Sequence, residues 1–349
     1  MIIKKTVKKM TNHRMLSNIF WTGYSLGPGK EKYKEFCEFA DNYYNVPSIP
    51  MKRLFMEYKY YSNKYGASMV DFFLYRLYLK SEYEVSRYMT EQRRIELYDA
   101  ADDKAYIHVM GDKKDFYHFY GEYMQKNVGF SMSDEDYEHF RDVCDGQDYI
   151  IIKPADGQRG MGVEKVWVGD DTSMCDVWEK CLKNHLVFER VLLNDASLRE
   201  FHPCSLNTIR VSTVLDKKNN VHIMTAVLRT GTGSNVVDNG HSGGVYAAID
   251  VMSGVICSYG YNSQGRSFIK HPDSGKIFLG YEIPCWKELT KLVSIIAKKE
   301  PHLRYIGWDF VLDENRNWVL LEGNEPGGID VHQHTLGHGL YYQYKKYLV

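Results

Sequence analysis

The stretch from Ile306 to Asp330 (IGWDFVLDENRNWVLLEGNEPGGID) constrains this chain most. Two apolar runs flank the polar turn Asp313-Glu314-Asn315-Arg316-Asn317, which is the pattern of a β-hairpin. Glu322 and Asn324 stand two apart, so they share a face of their strand. Pairing Asp313 with Trp318 across the turn sets Asp309 opposite Glu322, and the two side chains can meet. Two carboxylates and an amide oxygen suit a hard cation such as Mg²⁺, which takes oxygen ligands and keeps waters that a phosphate can displace. The plainer alternative is a hairpin with ordinary charges on its wet face. The tail Glu322-Gly323-Asn324-Glu325-Pro326-Gly327-Gly328 weighs against it, because such a run ends a strand where backbone must approach a ligand.

Bulk properties exclude several classes. A chain of 349 residues has room for two domains, or for one with a helical annex. A net charge of −1 makes no case for nucleic acid as a partner, and no run of 18 apolar residues offers a transmembrane helix. The seven cysteines are scattered, with no CxxC pair, as expected of reduced thiols in a cytoplasmic protein. The N-terminus MIIKKTVKKMTNHR is basic but lacks the apolar core of a signal peptide. Weak peripheral contact with an anionic membrane is one reading of it, and a solvated tail is the preferred one. The 28 tyrosines suit packing and interfaces, an oligomer's among them.

Along the chain, residues 1–104 are expected to be helical. Tyr33, Phe36, Phe39 and Tyr43 recur at helical spacing, and Gly66 breaks the long aromatic stretch Met51–Arg94. Asp112 is placed to cap a helix from Lys113 to Val128, stopped by Gly129, and Ser133 with Asp136 to cap another that ends at Gly146. A strand at 149–153, a glycine loop at 154–162, a strand at 163–168, a helix at 175–184 and a strand at 186–189 follow. Further strands are expected at 208–216, 222–229, 244–250 and 255–259, separated by the turn signals Lys218-Asn219-Asn220 and Met252-Ser253-Gly254. A helix starting at Pro284 and ended by Pro301 precedes the hairpin, and a tyrosine-rich helical segment closes the chain.

Lys153-Pro154-Ala155-Asp156-Gly157-Gln158-Arg159-Gly160-Met161-Gly162 joins two strands. Gly157, Gly160 and Gly162 let backbone N–H groups converge on an anion, and Lys153 at the strand end can reach an α- or β-phosphate. No Gly-Lys-Ser/Thr opens a helix here, so this is not the strand–loop–helix phosphate loop. The apolar strand Leu186–Glu189 running on to Val191 offers a slot and edge hydrogen bonds for a base, although a plain buried strand has the same pattern.

In this order the parts resemble the ATP-grasp superfamily, and most nearly its sugar-transfer-associated group. The residues carrying the resemblance are Ser205-Leu206-Asn207-Thr208-Ile209-Arg210, Arg229, Val237-Asp238-Asn239, Gly243-Gly244 and Trp308-Asp309, over roughly 105–345. The resemblance implies an α+β ATP-grasp fold of two subdomains clamping ATP, behind a helical N-terminal region. It divides the chain into a helical region at 1–104, a lid subdomain at 105–190 and a C-terminal subdomain with the metal site at 191–349. Lys153 and one of Lys113 and Lys114 would contact the nucleotide. Gly157, Gly160 and Gly162 would fold over the triphosphate, and Glu189 and Val191 would hold adenine. Asp309, Glu322 and Asn324 would hold Mg²⁺, as two ions and replaceable by Mn²⁺. Arg210 and Arg229 would face the γ-phosphate, and Asn239 the acceptor. The expected activity is ATP-dependent joining of a small-molecule carboxylate to an amine through an acyl phosphate, on substrates such as a sugar acid and an amino acid in cell-surface polysaccharide synthesis. A family member would ordinarily open with an α/β substrate domain, and the helical opening here leaves the acceptor site unassigned.

Two rival functions use the same residues: transfer of the γ-phosphate to a hydroxyl, and a non-catalytic nucleotide-binding scaffold that docks a glycosyltransferase. Three further candidates are weighed and set aside. His332, His334 and His338 lack the spacing to ligate zinc together without a bend, and their segment is expected instead to wall the acyl-phosphate site just after the metal strand. His241 is better taken as a loop histidine than as a proton acceptor. Cys204, with no evident base, is expected to be a buried thiol.

Overall fold

The computed structural model describes residues 14, 21, 29–43, 46, 48–124, 128–155, 162–233 and 243–349. The basic N-terminus through His13, Gly157, Gly160, Asn239 and His241 lie outside the described residues.

The first third is helical, in short pieces: α1 (Lys30–Ala40), α2 (Met51–Tyr65), α3 (Met69–Leu74), α4 (Glu82–Ser86) and α5 (Glu91–Ala101). Gly66 ends α2 in the left-handed conformation (φ +67°), donating its N–H back to Ser62, a cap that glycine adopts without strain. Ser68 and Ser81 open α3 and α4 in capping boxes with Asp71 and Glu84. Phe36, Phe55, Phe72 and Phe73 form the core of this region, with the Phe36 ring 5.1 Å from Phe73 and 5.4 Å from Phe55.

Next come α6 (His108–Gly111) and α7 (Lys113–Tyr120), the latter capped by Asp112 as expected. The helix does not run to Val128. Val128–Phe130 is instead a strand, β1, paired with β4 (Leu186–Arg190). Gly129 has a packing role rather than a stop role: a Cβ there would lie 2.2 Å from the Phe188 ring. A four-stranded antiparallel sheet, β1-β4-β2-β3, includes β2 (Tyr149–Pro154) and β3 (Glu164–Trp167). Helices α8 (Tyr137–Cys144) and α9 (Asp171–Asn184) supply Phe140, Val143, Trp178 and Cys181 to a core shared with Ile150, Ile152 and Phe188. The cap of α9 is Asp170, so this helix starts earlier than the expected 175.

The body is a seven-stranded antiparallel sheet, β11-β10-β5-β6-β7-β8-β9. Its strands are β5 (Thr208–Leu215), β6 (Val221–Thr230), β7 (Val245–Ile249), β8 (Gly260–Tyr261), β9 (Ser267–Phe268), β10 (Tyr305–Leu312) and β11 (Trp318–Asn324). Helix α10 (Ala196–Arg199) precedes it. Residues 255–259 form bridges rather than the expected strand, and pairing resumes at β8. Helix α11 (Trp286–Ile296) starts two residues after Pro284, because Cys285 takes a left-handed conformation (φ +53°), and it ends before Pro301. It packs Trp286, Leu289, Val293 and Ile296 on one face of the sheet. Val109, Phe116 and Tyr120 join that core, so residues expected to open the lid subdomain contribute to the body instead. The other face meets α5, α12 (Asp330–Leu336) and α13 (Tyr341–Leu348) through Leu97, Tyr98, Val214, Tyr305, Tyr344 and Leu348. No described helix is long and apolar enough to cross a membrane.

Candidate active site

The hairpin β10–β11 has a register that changes partway. Near the turn Leu312 pairs with Trp318 and Phe310 with Leu320, one residue off the expected alignment. A β-bulge after Asp309 takes up the difference, and Asp309 then pairs with Glu322 as expected. The extra residue re-aims the strand end; without it, Asp309 would face Leu321. The turn is fixed by Asp313, whose carboxylate accepts from the N–H groups of Asn315 (3.0 Å) and Asn317 (2.7 Å), an Asx-type closure.

Cross-strand register aligns polar residues along one face of the sheet. Glu322 pairs with Asp309, Asp309 with Arg210, and Arg229 with Thr208, two residues from Arg210. Arg229 in turn pairs with Tyr246, and Tyr246 with Tyr261. Strand alternation places all of these side chains on the same side. Asp309 sits at the centre, 3% exposed. Its Oδ1 accepts from Arg210 Nε at 2.6 Å, and its Oδ2 from Arg210 Nη2 and from Arg229 Nη1 at 3.0 Å. This is the bidentate geometry that favours arginine over lysine. Burial alone would raise the Asp309 carboxyl, but the charges of Arg210 and Arg229 overcome it and hold the group well below the usual carboxylate range. Glu322 lies 3.7 Å from Arg210 Nη2. Its place deep in the cleft, and then the Asp309 carboxylate, push it up to about 7, while 58% of its side chain still reaches solvent and softens that desolvation.

Asn324 completes the trio. Its Nδ2 lies 3.2 Å from Glu322 Oε1 and 3.4 Å from Asp309 Oδ2. An amide flip exchanges that nitrogen for an oxygen, giving an all-oxygen set of the kind Mg²⁺ takes. Among the described residues, no group of three or more His, Cys, Asp or Glu gathers to hold a metal, so the donor chemistry here is two carboxylates plus an amide. Gly307 and Gly327 let the chain fold back tightly after Asn324, since a Cβ on Gly307 would lie 2.4 Å from the Gly327 carbonyl oxygen.

Helix α12 then lies over the same face. His334 is held: its Nδ1 is 3.0 Å from the Tyr246 hydroxyl, which itself donates to the Asn262 carbonyl at 2.9 Å. His332 is fully buried, and neither of its ring nitrogens has a hydrogen-bond partner. Burial, then Arg210 and Arg229, push it down to about 3 against the opposite pull of Asp309. Two residues apart on a helix, His332 and His334 point to different sides and do not converge on a metal. Sequence reasoning set them aside as zinc ligands and expected their segment to wall the acyl-phosphate site, without singling out His332. It missed Tyr246, whose place is set by pairing with Arg229 across a glycine-rich connection that hides the register.

Beside the small sheet, Lys113 Nζ donates to the carbonyls of Pro154 (2.7 Å) and Ala155 (3.0 Å), at the entry of the glycine loop. Lys114 instead serves the cap through its backbone N–H, which donates to Asp112. Gly162 leaves the loop with φ +73°, and a Cβ there would meet the Pro154 ring at 2.9 Å. Lys153 and Glu189 lie diagonally across β2 and β4 and form an ion pair at 2.6 Å. Val191, half-buried, follows β4. Cys204 is exposed, not buried, and the neighbouring His202 turns its Nδ1 to Ser205 (2.8 Å).

Residues 179–347 match the family described as sugar-transfer associated ATP-grasp. No curated protein matches the chain. Among solved structures, the ATP-grasp ligase PsnB complexed with minimal precursor shares 12% identity at a TM-score of 0.44, over 71% of this chain and 62% of that one. D-alanyl-alanine synthetase A from Vibrio cholerae shares 12% at 0.43, over 71% and 68%. The biotin carboxylase domain of Hydrogenobacter thermophilus 2-oxoglutarate carboxylase, in complex with MgADP, ADP and bicarbonate, shares 14% at 0.43, over 71% and 47%. The chain thus spans less than two thirds of the PsnB and carboxylase chains. The matched residues 179–347 include Arg210, Arg229 and the whole β10–β11 hairpin, and over that stretch the chain is similar to the sugar-transfer associated ATP-grasp family.

Proposed function

We propose that this chain is an ATP- and Mg²⁺-dependent ligase that activates a carboxylate as an acyl phosphate and joins it to an amine. The observation that carries the reading is the row Arg229–Arg210–Asp309–Glu322 on one sheet face, within the stretch that is similar to an ATP-grasp family. Phosphoryl transfer needs positioning and charge neutralisation more than covalent help. Asp309, Glu322 and Asn324 would hold the metal, which would supply charge neutralisation to the phosphates. Arg210 and Arg229 would meet the γ-phosphate and the oxyanion that develops at the carbonyl. Asn239 is assigned to the acceptor side.

On the nucleotide side, Lys153 would leave Glu189 for the phosphates, freeing Glu189 for the adenine amino group beside Val191. Lys113, rather than Lys114, would fix the mouth of the loop that holds Gly157, Gly160 and Gly162. The working division is a lid built on β1–β4 and a body built on the seven-stranded sheet, with the helical third as its support. The family description favours a glycan or polysaccharide precursor as substrate, and use of ATP favours a cytoplasmic setting.

The test is a melting titration with a non-hydrolysable ATP analogue, with and without Mg²⁺, on wild type and Glu322→Ala. A ligand at 100 times its Kd stabilises by about 2.7 kcal/mol. We expect a Mg²⁺-dependent shift that Glu322→Ala loses while its unliganded melting point holds. The same shift in both proteins removes the metal assignment. ADP accompanied by a phosphorylated product and no amide would move the assignment to a phosphotransferase.

A further inference from the structure

The two histidines of α12 sit on the same short helix, over the same sheet face, yet they differ in one respect. His334 has the Tyr246 hydroxyl as its partner, and His332 has none at either ring nitrogen. A buried imidazole normally satisfies at least one nitrogen, because leaving both unpaired carries the full desolvation penalty. The helix is not loose enough to account for this. Gln333, the next residue, accepts from Met89 N (2.8 Å) and Leu340 N (3.0 Å) and donates to Met89 O (3.0 Å) and Tyr75 Oη (3.2 Å). Asp330 pairs with Arg94. The helix is therefore pinned to the helical third on one side and holds His332 on the other, where Arg210, Arg229 and Asp309 are the charges that bear on its ring. Gly328, leading into α12, lies against Arg210: a Cβ there would be 3.7 Å from its Nη1.

We propose that His332 is a positioning residue that donates a hydrogen bond, as a neutral imidazole, to an oxyanion held jointly by Arg210 and Arg229. A neutral donor adds direction without a third positive charge, and it completes a pocket whose two guanidiniums already face Asp309. The oxyanion is either the phosphoryl group or the substrate carboxylate, which share the same recognition chemistry. The inference rests on the ligase reading above and adds a residue to it.

The full chain, saturated with MgADP, is titrated with inorganic phosphate. In a second arm the chain, saturated with Mg²⁺ and a non-hydrolysable ATP analogue, is titrated with acetate. Both arms are followed by melting point and calorimetry in wild type, His332→Leu and His332→Gln. We expect His332→Leu to weaken one anion by about tenfold or more, the worth of a hydrogen bond to a charged group. His332→Gln, which keeps a donor, should recover part of that loss, and affinity for MgADP, which lacks the γ-phosphate, should be unchanged in both variants. The arm that responds identifies the oxyanion as phosphoryl or carboxylate. His332→Leu should also melt no lower than wild type without ligand, since it removes two unpaired polar atoms. If it does not fold, His332→Phe takes its place in the same titrations. Equal anion affinities in wild type and variant, or no anion shift in wild type despite a nucleotide shift, overturn the proposal. Absence of any nucleotide shift in wild type defeats the ligase reading, and this inference falls with it.

Discussion

The large and the small sheet handle charge differently. On the body, Asp309 is almost fully enclosed, and Arg210 and Arg229 beside it are 17% and 15% exposed. Their geometry is set by three adjacent strands in register and closed off by α12. On the lid, Lys153 and Glu189 are 22% and 25% exposed and touch across two strands of a much smaller sheet. A buried ion group is costly to dismantle, because removing one member strands the others in low dielectric. A partly solvated pair exchanges partners at little cost. The Asp309 cluster is therefore preorganised, and the Lys153–Glu189 pair is the one that can exchange partners. On the proposed reading, that asymmetry would let a nucleotide enter and leave beside Lys153 while the Asp309 cluster stays fixed.

The comparison is tested most severely at Asp309. Replacing it with alanine leaves two largely buried guanidiniums without their shared carboxylate and should lower stability by about 3–5 kcal/mol, read as a displaced urea midpoint with unchanged slope. A loss under about 1 kcal/mol would mean that the body cluster is as pliable as the lid pair. Next in size is Gln333→Leu. It removes four hydrogen bonds between α12 and its surroundings and orphans the buried N–H groups of Met89 and Leu340. It should cost about 2–4 kcal/mol, with hydrogen exchange rising in α12 and around Met89 together. Exchange confined to α12 would show that the helical third does not support the site. Smaller in stability but decisive for the lid is Lys153→Ala. It should change stability by no more than about 1 kcal/mol and weaken ATP by about tenfold or more. Unchanged ATP affinity would mean that the phosphates do not reach this lysine.

The same contrast explains how much of the molecule could be read from its sequence. The gathering of Asp309, Glu322 and Asn324 was legible because a strand fixes side-chain direction at period two, and three polar residues in an apolar hairpin are conspicuous. The pairing of Asp309 with Glu322 was anticipated from a turn register that is in fact one residue off; the bulge restored it, and nothing in VLLEGN announces a bulge. Caps at Asp112 and Ser133 were legible because their chemistry is local. Val128–Phe130 was not, since its strand pairing depends on β4, nearly sixty residues on. The end of α7 at Tyr120 is marked in the sequence by its C-cap glycine, Gly121, a stop signal that competes with Gly129. The segment of His332 was expected to wall the site, but which of its side chains faces the sheet, and the place of Tyr246, could not be read for a tertiary reason: one arrives on a helix packed over the sheet, the other through pairing across a long connection. Sequence periodicity specifies a face, and only topology says what lies above it.

Asp102 offers the gentlest test, because it is an aspartate as enclosed as Asp309 with the opposite electrostatics. It is 7% exposed and accepts from the backbone N–H groups of Arg304 and Tyr305, where α5 meets the start of β10. Burial pushes it up to about 7, against those two hydrogen bonds. Asp309, with two arginines, is shifted down; Asp102, with neutral donors, is shifted up. The sign for stability follows from proton binding. An unfolded aspartate releases its proton near pH 4, while the folded one keeps it to about 7. The folded state thus binds more protons across that window, and the contribution of Asp102 to stability falls as pH rises from about 4 to about 7. Asp102→Asn removes the titration. Urea midpoints of wild type and variant between pH 5 and pH 8 should therefore diverge, with the variant gaining relative to wild type as pH rises. Parallel profiles would show that the site is open enough to solvate its charge, and that enclosure in the body does not by itself decide which carboxylates are ionised.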